Sequence, residues 1–205
     1  LRKGTFAAGS TGMRLHFTGK TSHSAHPDAG INPAQALAQL MHQLPQLPKE
    51  IPGFSLLTLI HVELGSLAFG TSAGKGSLSM TLRAYDQKDL DLLIEKAQAL
   101  AKKIASEERL KLEVEFVEKF AVSHNDQELY EVVKVAAVEL GLKAVEKAEP
   151  FNWSEDFGLF SQHCPSFLFG LGSGENCPQL HEPTYDFPDE LIETGVKVFE
   201  EIIKK

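Results

Sequence analysis

The order of periodicities ahead of residue 120 narrows the possible folds more than anything else in the chain. Met13, Leu15 and Phe17 alternate with Arg14, His16 and Thr18, the two-residue period of a strand with one wet face. A turn-rich stretch from Gly19 leads to Asn32, which can cap a helix that opens with Pro33 and carries Leu37, Leu40, Met41 and Leu44 on one stripe. Pro45 and Pro48 end it. A second strand, 54–64, sets Phe54, Leu56, Ile60, Val62 and Leu64 on one side. After a loop of glycines and small residues, 65–76, a third strand turns Leu78, Met80, Leu82 and Ala84 one way and Ser79, Thr81, Arg83 and Tyr85 the other. Asp86 can cap the next helix, with a stripe of Leu90, Leu93, Ala97, Leu100 or Ala101, and Ile104; Leu112, Val114 and Phe116 then mark a fourth strand. The order β-α-β-β-α-β, with every strand apolar on one side only, predicts one antiparallel sheet with both helices on one face. That is a ferredoxin-like arrangement, assigned to residues 9–120. Such a fold names no function.

From about Ala121 the pattern changes, and residues 121–205 are expected to form a separate α/β region. Asn125 or Asp126 starts a helix with Leu129, Val132, Val133, Ala136 and Leu140 inward and Gly141 as its stop. Residues 142–145 are readable as a short strand and 154–160 as a short helix capped by Ser154. Residues 166–172 read as a strand buried on both faces. A last helix from about Asp189 carries Leu191, Ile192, Val196, Phe199 and Ile203. So few elements make a poor core, which implies part of a larger α/β domain, and a start at Leu1 without Met points the same way.

Composition bounds the function. With 205 residues, 42% of them hydrophobic, the chain can bury a real core. A net charge of −8 without a Lys/Arg run argues against nucleic acid and anionic membranes as partners. No apolar stretch approaches the roughly 20 residues of a membrane span, and Cys164 and Cys177 form no zinc-knuckle pattern. A reducing cytoplasm is the expected location.

The most chemical stretch follows the glycine-ended run 167–174. It is Gln179-Leu180-His181-Glu182-Pro183-Thr184-Tyr185-Asp186, a histidine flanked by carboxylates where open α/β sheets place ligands. On these residues alone, His181 reads first as a loop histidine that caps or hydrogen-bonds something nearby.

Four motifs resolve that choice. Gly19-Lys20-Thr21-Ser22-His23-Ser24-Ala25-His26-Pro27-Asp28-Ala29-Gly30-Ile31-Asn32-Pro33 resembles the stretch that opens the lid domain of the aminoacylase/carboxypeptidase-like dinuclear metallo-amidohydrolases. The likeness is to the branch that cleaves N-acyl amino acids and amino-acid conjugates. Ser79-Met80-Thr81-Leu82-Arg83 is similar to the family's Gly-Thr-x-Arg strand, Ser154-Glu155-Asp156-Phe157 to its Ser-Glu-Asp-Phe, and Leu180-His181-Glu182-Pro183 to its Leu-His-x-Pro.

The resemblance implies metal-dependent hydrolysis of an amide bond in an N-acyl amino acid, amino-acid conjugate or small peptide. It implies two divalent ions, zinc or alternatively manganese, and a homodimer formed through the lid. His181 matches the last metal ligand; the other ligands belong to an N-terminal segment outside this sequence, so the fragment alone is expected to hold no metal and to be inactive. His23 matches the lid histidine that in relatives enters the partner subunit's active site and stabilises the oxyanion, although by itself it is also a plain turn histidine. Arg83 matches an arginine suited to a substrate carboxylate, or is a solvated strand residue pairing with a neighbour such as Glu63. Asp156, with Glu155, implies a supporting or substrate contact near the metal, or merely favours a helix dipole. Where many relatives have Asn-x-Ile-Pro, this chain has Gly70-Thr71-Ser72-Ala73, so Thr71 or Ser72 is the candidate substrate contact there. The alternative function is a non-catalytic dimerisation or small-molecule-binding module.

Overall fold

The computed structural model describes residues 1–205. In chain order the elements are β1 (Gly4–Ala7), β2 (Gly9–Thr18), β3 (Ser22–His23), α1 (Ala34–Gln43), β4 (Ser55–Leu64), β5 (Thr71–Ser72), β6 (Lys75–Ala84), α2 (Gln87–Glu107), β7 (Lys111–Phe120), β8 (Ser123–Asn125), α3 (Gln127–Glu139), α4 (Gly158–Ser161) and α5 (Glu190–Ile203). They divide between two compact units. One comprises Ala7–Ser123 and Phe151–Leu159, the other Leu1–Phe6, His124–Pro150 and Phe160–Lys205.

The first unit is a four-stranded antiparallel sheet in the order β4-β6-β2-β7. Met13, Leu15 and Phe17 of β2 and Leu78, Met80 and Leu82 of β6 share one core with Leu37, Leu40 and Leu44 from the α1 end and Leu90, Leu93, Ala97, Ala101 and Ile104 of α2. Burial of that single face dictates the register, because a one-residue slip would carry every inward side chain to the wet face. Asp86 caps α2, its carboxylate accepting from the Lys88 amide at 2.7 Å. Asn32 accepts from the Ala34 amide at 2.9 Å and so opens α1.

Two expectations for this unit fail for identifiable reasons. On β4 the inward residues are Leu57, Leu59 and Val62, not Phe54, Leu56 and Ile60. A register shift between Leu59 and His61 flips the alternation at Ile60, and a period-2 reading that assumes an unbroken strand assigns the wrong parity before it. Met41 is exposed because the α1 stripe that meets the sheet is narrower than its apolar pattern.

In the second unit α3 buries Tyr130, Val133, Ala136 and Ala137, a set rotated from the predicted Leu129–Val132 face towards the large aromatic side chain. Its end is set by Gly141, whose φ of +68° permits the paired bonds Leu142 N–H to Ala137 O and Gly141 N–H to Val138 O, both 2.9 Å. The Tyr130 hydroxyl meets the Glu146 carboxylate, which also takes Lys134 Nζ at 3.0 Å. Burial, then the bond to Glu146, raises the Tyr130 phenol above its ordinary range, and the bonds from Tyr130 and Lys134 lower the Glu146 carboxyl.

No strand forms at 142–145, and α4 is shorter than the helix predicted over 154–160. Residues 166–172 run without sheet partners instead of as a buried strand. The Leu168 backbone is satisfied by a side chain, Asn125 donating to its carbonyl at 2.8 Å and accepting from its amide at 2.7 Å, and Ser166 O accepts from the Asp126 amide at 2.9 Å. On α5 only Val198 is fully buried, while Ile192, Val196, Phe199 and Ile203 form an exposed stripe, with Ile203 84% accessible. The periodicity is helical as predicted, but this unit covers that face only in part, the Phe169 ring lying against Phe199 at 5.5 Å.

Candidate active site

Three groups of predicted residues fall in three places. The first is a ribbon that leaves the sheet at the Thr18–Lys75 end. There β3 pairs with β5 so that His23 lies opposite Thr71 and Ser22 opposite Ser72, joining residues almost fifty positions apart. Close backbone approach fixes its base. A Cβ on Gly19 would lie 2.1 Å from Ile31 O, and one on Gly74 would lie 2.5 Å from Thr21 N, so neither position tolerates a side chain. At the tip, Ser24 N–H donates to Gly70 O at 3.1 Å and Thr71 N–H to Ala68 O at 3.3 Å. This turn projects Leu67 and Phe69 into solvent, 92% and 94% accessible.

The ring of His23 is oriented by its own turn. The Ala25 amide donates to His23 Nδ1 at 3.0 Å. An accepting Nδ1 places the proton of the neutral imidazole on Nε2, so the exposed nitrogen is a hydrogen-bond donor. Ser72 is held as well, its hydroxyl accepting from Asn32 Nδ2 at 3.0 Å. Asn32 therefore does two things, opening α1 with its oxygen and fixing Ser72 with its nitrogen. The sequence signalled only the first, because Asn-Pro before an apolar run marks a helix start and says nothing about a hydroxyl forty residues away.

The second place is the opposite end of β6. Arg83 Nη1 donates to Ser154 Oγ at 2.9 Å and to Asn152 O at 3.2 Å. The predicted pairing with Glu63 does not occur, since Glu63 sits opposite Ser77 and Arg83 opposite Leu56. Ser154 accordingly accepts from Arg83 instead of capping a helix, and the exposed Asp156 follows two residues later, so the Gly-Thr-x-Arg-like and Ser-Glu-Asp-Phe-like motifs converge. Tyr85 adds a hydroxyl contact to Asn152 Oδ1 that the sequence did not suggest. Eight residues separate Lys75 from Arg83 along one strand, a span of roughly 26 Å at about 3.3 Å per residue. His23 and Arg83 of one chain thus belong to opposite ends of the sheet.

The third place is the exposed loop of His181 in the other unit. Glu182 N–H donates to Gln179 O at 3.1 Å, closing a turn in which His181 has a φ of +73°. That left-handed conformation costs a residue with a side chain roughly 1 kcal/mol relative to glycine. Strain of this kind concentrates at functional positions. No group of three or more His, Cys, Asp or Glu side chains is placed to share an ion. One imidazole by itself does not make a tight metal site. Cys164 and Cys177 are free thiols in no such arrangement. No helix is long and apolar enough to cross a membrane.

The family model for peptidase family M20/M25/M40 matches residues 34–205. The chain belongs to this family. It is 25% identical over 211 residues to an uncharacterized hydrolase of Staphylococcus saprophyticus and 26% identical over 212 residues to one of Staphylococcus epidermidis. Those alignments cover 100% of this chain and 54% and 55% of the relatives, so the chain spans about half the length of the curated relatives it matches. Among solved structures, the Bacillus subtilis YXEP protein, a dinuclear metal-binding peptidase of the M20 family, superposes with a TM-score of 0.78 at 18% identity, over 98% of this chain and 51% of that one. Aminopeptidase PepT from Bacillus cereus gives 0.73 at 17% identity, over 98% and 53%. These likenesses establish a shared fold. M20 membership makes the chain hydrolase- and peptidase-like, and all three places described above carry the motifs by which the sequence resembles metallo-amidohydrolases.

Proposed function

We propose that residues 1–205 are the lid and the C-terminal catalytic portion of a metal-dependent amidohydrolase that cleaves an N-acyl amino acid, amino-acid conjugate or small peptide. The sheet order β4-β6-β2-β7 with its β-α-β-β-α-β connectivity supports a ferredoxin-like lid over residues 9–120. The largely exposed stripe Ile192, Val196, Phe199 and Ile203 supports an incomplete catalytic domain over 121–205, since an amphipathic helix normally buries its apolar face. His181 supplies one ligand to a pair of divalent ions, zinc or manganese, and the remaining ligands come from a portion of the kind the longer relatives carry.

The observation that carries this reading is the presentation of His23. Its ring, oriented by the Ala25 amide, offers Nε2–H at the end of a ribbon whose neighbours are the Thr71 and Ser72 hydroxyls. A preoriented donor of this kind suits the carbonyl oxygen of an amide, where negative charge develops when the carbonyl is attacked. Arg83, with Ser154 and Asp156 beside it, suits the substrate carboxylate. Because the His23 ribbon leaves the sheet at the Lys75 end and Arg83 lies roughly 26 Å along β6 from Lys75, each site takes Arg83 from one protomer and His23 from its partner. The lid fits that role. Edge strand β4 exposes Leu56, Ile60 and Leu64, and the tip exposes Leu67 and Phe69, apolar surface of the sort that association covers.

The test is hydrolysis of N-acetyl, N-benzoyl and dipeptide substrates by the complete enzyme, followed by release of the free amino acid. Turnover abolished by a chelator and restored by zinc or manganese is the expected result. Turnover indifferent to chelation, or absent with every amide substrate in metal-loaded enzyme, contradicts the proposal.

A further inference from the structure

The wet face of the sheet holds a concavity that shares Thr71 and Ser72 with the His23 ribbon but is not lined by His23, Arg83 or His181. A cavity of about 930 Å³ lies at the Lys75 end, with the side chains of β2, β4, β6 and β7 as its floor and the loops around Lys20 and Ser66 as its walls. Cross-strand register orders the floor. Glu63, Ser77, His16 and Glu113 form one row across all four strands, and Lys75 and Thr18 belong to the next.

Charge is distributed unevenly in it. Lys111 and Glu113 neutralise each other at 2.6 Å. Lys20, Lys75 and Glu63 enter none of the chain's ion pairs. The cavity therefore presents two free ammonium groups and one free carboxylate, in a protein whose net charge is −8. Glu63 and Lys75 are diagonal neighbours on adjacent strands, with Cβ atoms roughly 7–8 Å apart. The charged ends of both long side chains can reach a small molecule between them.

We propose that this cleft binds a free α-amino acid, its carboxylate on Lys20 and Lys75, its ammonium on Glu63, and its side chain over the glycine- and hydroxyl-lined end of the cavity. Two cations set against one anion across a gap select a zwitterion over either charge alone, and the volume falls in the range of small-molecule sites. The ligand is of the class that the proposed hydrolysis releases, so the cleft would report product to the lid. The proposal takes from that reading only the ligand's source.

Binding is measured on the 205-residue chain without metal or hydrolysis, so its outcome is separate from the fate of the catalytic reading. L-leucine, 4-methylpentanoate and isopentylamine are titrated in turn while backbone amides are followed by NMR. L-leucine is expected to shift the amides of residues 16–20, 63–66 and 73–77 saturably. 4-Methylpentanoate should bind at least fivefold more weakly, and isopentylamine should leave these amides unmoved. Lys20→Ala/Lys75→Ala should weaken leucine binding at least tenfold, and Glu63→Gln should erase the preference over 4-methylpentanoate. Absence of saturable shifts at these amides, equal binding of leucine and 4-methylpentanoate by the unaltered chain, or leucine binding unchanged in the double variant overturns the proposal.

Discussion

Alanine in place of His181 should strip the complete enzyme of metal and turnover together. Even the groups that only hydrogen-bond to a metal ligand are each worth roughly 10–100-fold in affinity, so loss of a ligand should exceed about 100-fold. Elemental analysis after dialysis and the initial rate should fall in parallel. Glycine provides the control, because the left-handed backbone at φ +73° strains any residue with a side chain. His181→Gly should lose metal as fully as His181→Ala, yet make the metal-free chain up to about 1 kcal/mol more stable than the alanine variant. Full metal content with turnover lost would recast His181 as a substrate contact.

His23→Ala should leave the metal in place and lower kcat by roughly 10²–10³-fold, the scale of one lost oxyanion donor. The Ala25–Nδ1 bond gives this a second arm. If Nε2–H is the working atom, His23→Gln keeps a donor at similar reach and should recover about tenfold of the loss, roughly 1.4 kcal/mol of barrier. A variant that changes KM alone, or loses metal along with turnover, would place His23 elsewhere in the mechanism.

Most of the sheet unit was legible because its physics is local. One face of each strand is buried, so inward residues on β2, β6 and β7 declare themselves by alternation, and α2 by its stripe and Asp86 cap. The β4 bulge was not legible, since an inserted residue looks like continued strand until the partner's register is known. The second unit read less well. Residues 166–172 have the composition of a buried strand, but a strand exists only with partners, and here Asn125 takes that place. The apolar stripe of α5 was legible but not its exposure, for periodicity tells which side is apolar and not what meets it. For the candidate site, motifs singled out His23, Arg83 and His181, while the roles of Asn32 and the Ala25 amide depend on turn geometry that no motif states. The placement of His23 and Arg83 at opposite ends of the sheet follows from the length of β6 and agrees with a histidine that serves a partner subunit.

That separation is tested by mixing two inactive proteins. His23→Ala and Arg83→Ala enzymes, each nearly dead alone, are allowed to exchange subunits and then assayed for N-acyl amino acid hydrolysis. In a twofold dimer half of a freely exchanged 1:1 mixture is mixed, and each mixed dimer holds one intact site, so about a quarter of the unaltered enzyme's activity should return. If the mixture, after demonstrated exchange, stays as inactive as its parts, His23 and Arg83 do not meet across a dimer and the composite site proposed for this chain is wrong.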